Sequence, residues 1–426
     1  AEIGWKSMIY LTATGRNDWD SRLAFSDYKS FFYPSIGLSA ILTSMFNAPD
    51  WLTYLKVRGS YTEVGNSYGR FMTTVTYPYD EQTQSWTSTS SYPNTKLKPE
   101  RTKSWEVGLD ARILNDISLN LTYYRSNTYN QTFYADLSLS SGYSNIPIQS
   151  GNIMNEGLEM SLGYNKQWKD FSFNTNYTLT WNKNRVKRLA DGVYNYATGQ
   201  PIQMPELSPL TYGHTDARLI LRVGGSMGDV YGQRLLKRDL NGYILNEEGV
   251  GLAMENKETY LGSILPKMNM GWSLGFGYKG VNLGMTFTGR FGGIVISETQ
   301  SVLDAAGVSK VSADVRDAGG VQINQSKVSA QTYYQTIQGT AAYYTYSATN
   351  VRLGELSLSY TLPKKWFDNK VGMTVGLVGK NLWMIYCKAP FDPELTTSAA
   401  SNFYQGFDAY MLPSTRNFGF NVKFQF

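Results

Sequence analysis

Apolar and polar residues alternate with a period of two along most of this chain, and that alternation restricts the fold more than any other feature. The closing stretch FGFNVKFQF sets Phe418, Phe420, Val422, Phe424 and Phe426 against Gly419, Asn421, Lys423 and Gln425. Successive side chains of a strand point to opposite faces, so one face is apolar and the other wet. Leu55, Val57 and Tyr61 alternate likewise with Lys56, Arg58 and Ser60. Trp105, Val107, Leu109, Ala111 and Ile113 alternate with Glu106, Gly108, Asp110 and Arg112. Trp5, Ile9 and Leu11 are expected on one face of a first strand, and Ile36, Leu38, Ala40 and Leu42 on one face of the next. The pattern predicts about twelve strands, each near the ~10 residues that a tilted membrane strand needs.

Both a soluble sandwich and a membrane barrel produce this pattern, and the links between strands separate them. Short links are expected at 47–50, 114–116, 166–170, 278–280 and 363–370. Long ones are expected at 15–31, 65–103, 128–155, 184–266, 292–349 and 384–412. Short and long alternate, as periplasmic turns and extracellular loops do in outer-membrane barrels. The first strand then rises from the periplasm. Trp51, Trp168, Trp181, Tyr278, Trp366 and Trp383 are expected near strand ends, as interfacial girdles require. Lys56, Arg58, Glu106, Asp110, Arg112, Asn174, Asn176 and Arg290 would face a wet lumen. The expected fold is therefore all-β, a transmembrane antiparallel β-barrel.

Composition agrees. Mean hydropathy is −0.33, which suits a barrel whose strands are half wet. No run of ~18 apolar residues predicts a transmembrane helix. Net charge of +5 is too mild to argue for nucleic acid. His214 and Cys387 are the only histidine and cysteine, which argues against histidine-based catalytic triads and multi-histidine metal sites. No Walker A motif or dinucleotide fingerprint occurs, and no enzyme is expected. The opening AEIGWKSMIYLTAT starts inside a strand, so residues 1–426 are expected to be part of a longer protein.

Several stretches resemble the C-terminal part of the SusC/RagA family of TonB-dependent transporters of the Bacteroidetes outer membrane. These are LTATGRNDWDSRLAFSDYKSFFYPSIGLSAIL, WLTYLKVRGSYTEVGN, LKPERTKSWEVGLDARIL, SGNIMNEGLEMSL, VRLGELSLSYTLP, GKNLWMIY, KAPFDPEL and MLPSTRNFGFNVKFQF. Together they run from about residue 4 to 426. The resemblance implies a plugged barrel of about 22 strands, of which residues 1–426 would supply the C-terminal part, without the plug domain and N-terminal strands. It further implies import of oligosaccharides or oligopeptides, powered through TonB, with a SusD-like surface lipoprotein as lid. Contact with the lipid bilayer and lipopolysaccharide, and a dimer of receptor–lipoprotein pairs, belong to the same expectation. A structural subunit of a larger envelope complex is the alternative.

Candidate substrate contacts are aromatic residues of the long links. Tyr129, Tyr134 and Tyr143 stand among amides, as do Tyr333, Tyr334 and Tyr343, with Tyr344 and Tyr346 close by. Sugar rings stack on aromatic faces and amides bond hydroxyls, which tilts the reading toward glycans; packing of loops is the plainer role. Asp239, Asn241, Glu247 and Glu248 offer oxygens for calcium, but the spacing departs from an EF-hand and a turn at Asn241-Gly242 is preferred. No other cofactor is expected. Phe426, a terminal aromatic, is expected to signal barrel assembly.

Overall fold

Period-two segments become strands of up to 18 residues, the longest of which exceed the ~9–11 that a tilted membrane strand needs. The computed structural model describes residues 1–87, 89–149, 151–189, 200, 206–247, 251–323, 326–395, 397 and 402–426. They fall into two units, Ala1–Asn165 with Tyr177–Pro209 and Leu221–Ser226, and Lys166–Asn176 with Leu210–Ile220 and Met227–Phe426.

The first unit is a meander of β1 (Glu2–Trp5), β2 (Ile9–Trp19), β3 (Ser30–Ile41), β4 (Leu52–Asn66), β5 (Glu100–Ile113), β6 (Ile117–Tyr129), β7 (Asn152–Trp168) and most of β8 (Phe171–Arg188). Neighbours pair antiparallel in chain order from β1 to β7. Register places Ile9, Ala40, Val57, Leu109, Leu121 and Met160 side by side across six strands. One residue further along each of three strands, Lys56, Asp110 and Asn120 form a polar row. A slip of one residue would exchange the two faces, so the pattern fixes the pairing.

Gly108 has a particular use on the polar face. Arg58 of β4 lies across it, donating to Asp110 Oδ2 of β5 at 2.8 Å and to Thr122 Oγ1 of β6 at 2.6 Å. A Cβ at Gly108 would stand 2.6 Å from Arg58 Nε. Asp110 also accepts from Asn120.

The second unit continues the pattern in β9 (Met268–Tyr278), β10 (Val281–Phe291), β11 (Asn350–Leu362), β12 (Gly372–Cys387) and β13 (Asn417–Gln425). Phe276, Leu283, Leu358, Leu377 and Phe420 form one apolar row, and Asn282, Ser359, Gly376 and Asn421 a polar one beside it. Phe418 and Phe420 remain about 80 % exposed, with no second sheet against them among the described residues, and Val422 is exposed too. Apolar surface on this scale is what a lipid-facing wall presents. Among the described residues no helix is long and apolar enough to cross a membrane.

Three expectations need correction. The first strand is a hairpin, which gives the large sheet thirteen strands among the described residues: Met8 N bonds Trp5 O at 2.9 Å, Lys6 and Ser7 both take positive φ, and Trp5 pairs with Ile9. That turn normally calls for Asn or Gly, so Lys-Ser gave no signal. The link at 47–50 spans 42–51, because Leu42 opens a helical turn, Leu42–Met45, instead of ending the strand. Trp181 lies well inside β8. Trp51, Trp168, Tyr278 and Trp366 do sit at short-link ends, with 47–61 % of their surface exposed.

Candidate functional site: the long-link rim

Each long link begins at the ends of its strands, and the recognised motifs meet there in pairs. Tyr33 of FFYPS donates to Asp18 of TGRNDW at 2.6 Å. Asp20 accepts from Arg22 and, at 2.5 Å, from Ser67 Oγ beyond the next hairpin. Those bonds from Arg22 and Ser67 hold the Asp20 carboxyl far below the usual carboxylate range. Glu63 of YTEVGN pairs with Arg101 at 3.2 Å and Lys103 at 3.3 Å of LKPERTK.

A more buried clamp joins VRLGEL to KAPFDPEL. Arg352 holds Asp392 with two parallel bonds of 2.9 and 2.7 Å and reaches Glu394 at 3.2 Å. Asn350 supports both sides: its Oδ1 accepts from Arg352 Nε at 3.3 Å and its Nδ2 donates to Glu394 at 3.1 Å. Burial alone would raise the Asp392 carboxyl, but Arg352, the Glu394 amide and Ser414 together outweigh it and hold it below its ordinary value. Bidentate geometry is what makes a desolvated pair of this kind stable.

The long links are folded, where the sequence suggested plain loops. In link 189–267, strand Asp229–Leu236 pairs with Met254–Ser263, and Tyr212, Leu219 and Val230 are completely buried. Asp216 ties this link to 292–349 by accepting from the backbone amides of Gln233 at 3.1 Å, Arg234 at 2.7 Å and Ala341 at 2.6 Å. Nothing in the sequence marks Asp216. The neighbouring His214 is exposed, as expected of a lone loop histidine.

Link 292–349 carries α1 (Glu298–Ala305), α2 (Lys310–Asp317) and α3 (Ala330–Ile337). Ser297, Ser309 and Ser329 cap them, accepting from the amides of Gln300, Ser312 and Thr332 at 2.9, 3.0 and 3.0 Å. A serine before each short helical segment is a start signal that the sequence carries. The three helices border a cleft of about 480 Å³.

The candidate tyrosines divide by environment. Tyr334 and Tyr344 are buried among Leu236, Leu252, Ile323 and Ile337, with Tyr333, Tyr343 and Tyr346 packed against that cluster. Tyr343 Oη accepts from Leu236 N at 3.0 Å. The Tyr344 hydroxyl has no hydrogen-bond partner among the described residues, and burial pushes it far above its ordinary value. Tyr134 is exposed on strand Thr132–Asp136, Tyr143 meets Tyr92 edge-on at 5.1 Å, and Tyr129 ends β6. Asp239 Oδ1 accepts from the amides of Asn241 at 2.8 Å and Tyr243 at 2.9 Å, so the turn itself uses that carboxylate. Glu248 and the Glu247 side chain lie outside the described residues. Phe426 follows β13 and is almost fully exposed.

Alternating faces, short turns opposite folded links, and motif clamps at the rim define an outer-membrane β-barrel receptor. The chain belongs to the family "TonB dependent receptor-like, beta-barrel", whose model matches residues 1–382. Within that family it is similar to TonB-dependent receptor P3 of Formosa agariphila, at 25 % identity over 99 % of this chain and 44 % of the relative. TonB-dependent receptor SusC of Bacteroides thetaiotaomicron matches at 27 % identity over 35 % of this chain and 14 % of its own length. Among solved structures, the RagAB peptide importer in the open-open state superposes with a TM-score of 0.72 at 20 % identity, over 99 % of this chain and 45 % of that one. The SusC/RagA resemblance read from the motifs is thus matched by both kinds of relative. The chain spans less than half the length of the curated relatives it matches.

Proposed function

We propose that this chain forms barrel wall and loop rim of a TonB-dependent importer that carries oligosaccharides across the outer membrane beneath a SusD-like surface lipoprotein. The observation that carries the reading is the pairing of two rows: exposed Leu358, Leu377 and Phe420 beside polar Asn282, Ser359 and Asn421. Such a wall separates lipid from a wet interior wide enough for a polar oligomer. Tyr134 and Tyr143 are the tyrosines best placed to stack on a sugar. Coupling to TonB, and a plug, would come from parts of the protein beyond residues 1–426. Lipopolysaccharide around the wall, and a dimer of receptor–lipoprotein pairs, complete the proposal.

Deleting the whole gene and measuring growth on single carbon sources tests it. Lost growth on an oligosaccharide, restored by the full-length gene, is the expected result. Loss confined to peptides would replace the cargo, and undiminished growth on every source would favour a structural subunit. Purification of the full-length receptor should bring a lipoprotein with it.

A further inference from the structure

We propose that the cleft between α1, α2 and α3 is a saccharide subsite, with Asp304 as its central hydrogen-bond acceptor; this rests on the importer reading. Asp304 is 5 % exposed, lines the cleft, and among the described residues has no cation within ion-pair distance. Its side-chain partner is neutral: Gln300 Nε2 donates to Oδ1 at 2.7 Å. A carboxylate removed from water with one neutral donor needs further donors, and a ligand can bring them.

The rest of the lining says which ligand. Gln331 and Gln335 are exposed one turn apart on α3, so their amides share a face, and Arg316 lies one turn beyond Ser312 on α2. Arg316 spends one nitrogen on Gly307 O at 3.3 Å. Tyr334 supplies an aromatic wall. The cleft therefore offers an acceptor, two amides that both donate and accept, and a guanidinium that only donates. Hydroxyl groups donate and accept, so a sugar ring satisfies all of them. An ammonium group only donates; it would leave the amide N–H groups without acceptors and would meet Arg316, which Asp317 already pairs at 3.8 Å, as a like charge. The volume of about 480 Å³ falls within the ~300–1,000 Å³ of small-ligand pockets.

The test uses full-length receptor in detergent, a glycan array of neutral oligosaccharides, and trialanine as the peptide probe. The expected result is binding to at least one neutral glycan, weakened tenfold or more by Asp304→Asn and severalfold by Gln335→Ala. Gln335 is exposed, so its variant controls for misfolding; both variants should keep the wild-type unfolding temperature. Glycan affinity unchanged in both folded variants would overturn the subsite. So would absence of glycan binding, or trialanine binding that Asp304→Asn abolishes. Glycan uptake that is lost on gene deletion but intact in both variants would refute the subsite while leaving the importer standing.

Discussion

Arg352 and Asp392, 40 residues apart in sequence, face each other through two parallel hydrogen bonds of 2.9 and 2.7 Å at the rim where β11 enters the sheet. The pair fastens link 388–416 to β11, the neighbour of the strand that precedes the link. Removing one partner strands a nearly buried charge, at a cost of about 3–5 kcal/mol. Arg352→Ala is therefore expected to expose this link to trypsin in folded receptor, while Arg352→Met with Asp392→Leu restores much of the protection.

The same pair gives a pH dependence. Asp392 lies below its ordinary value in the folded protein, so its contribution is complete above the unfolded carboxyl's pKa of about 3.9. It is lost as pH falls through the lower folded value. Protease sensitivity of link 388–416 should stay flat at neutral pH and rise only below about pH 4. A rise between pH 6 and 7 would contradict the assignment.

Gly108→Ala tests how the polar face is laid out. The new methyl would displace the Arg58 stem and loosen its bonds to Asp110 and Thr122. A loss of about 1–2 kcal/mol is expected in urea unfolding. In an Arg58→Ala background the same change should cost much less, since the two act through one contact.

Two substitutions in the folded links should move in opposite directions. Asp216→Ala leaves three backbone amides without their acceptor and is expected to cost about 3 kcal/mol, with nicking of link 189–267 as readout. Tyr344→Phe removes a buried hydroxyl that has no partner among the described residues, and should leave stability unchanged or raise it by about 1 kcal/mol.

How much of this was legible follows from what each residue answers to. Lipid imposes a period of two on Phe420 or Leu109 whatever their neighbours are, so strands and faces could be read directly. Lys6 and Ser7 turn the chain at positive φ because flanking strands pair, and no local preference announces it. The clamp motifs were visible as family resemblance, but the partnership of Arg352 with Asp392 depends on where a long link returns. Tyr344 looks like a ligand aromatic in a string of tyrosines, but it is buried in the cluster of Leu236, Leu252 and Ile337. The Asp304 cleft could not be seen at all, because it exists only once three serine-capped helices have packed.

The central claim is that alternate residues of these strands meet lipid and water. Single cysteines at Leu358, Ser359, Phe420 and Asn421, in a cysteine-free background of the full-length receptor that includes Cys387→Ser, can carry nitroxide labels in liposomes. Collision with oxygen should dominate at Leu358 and Phe420, and collision with a water-soluble nickel chelate at Ser359 and Asn421. Equal accessibility to the nickel chelate at all four positions would show that no face of this sheet meets a bilayer, and would contradict the account.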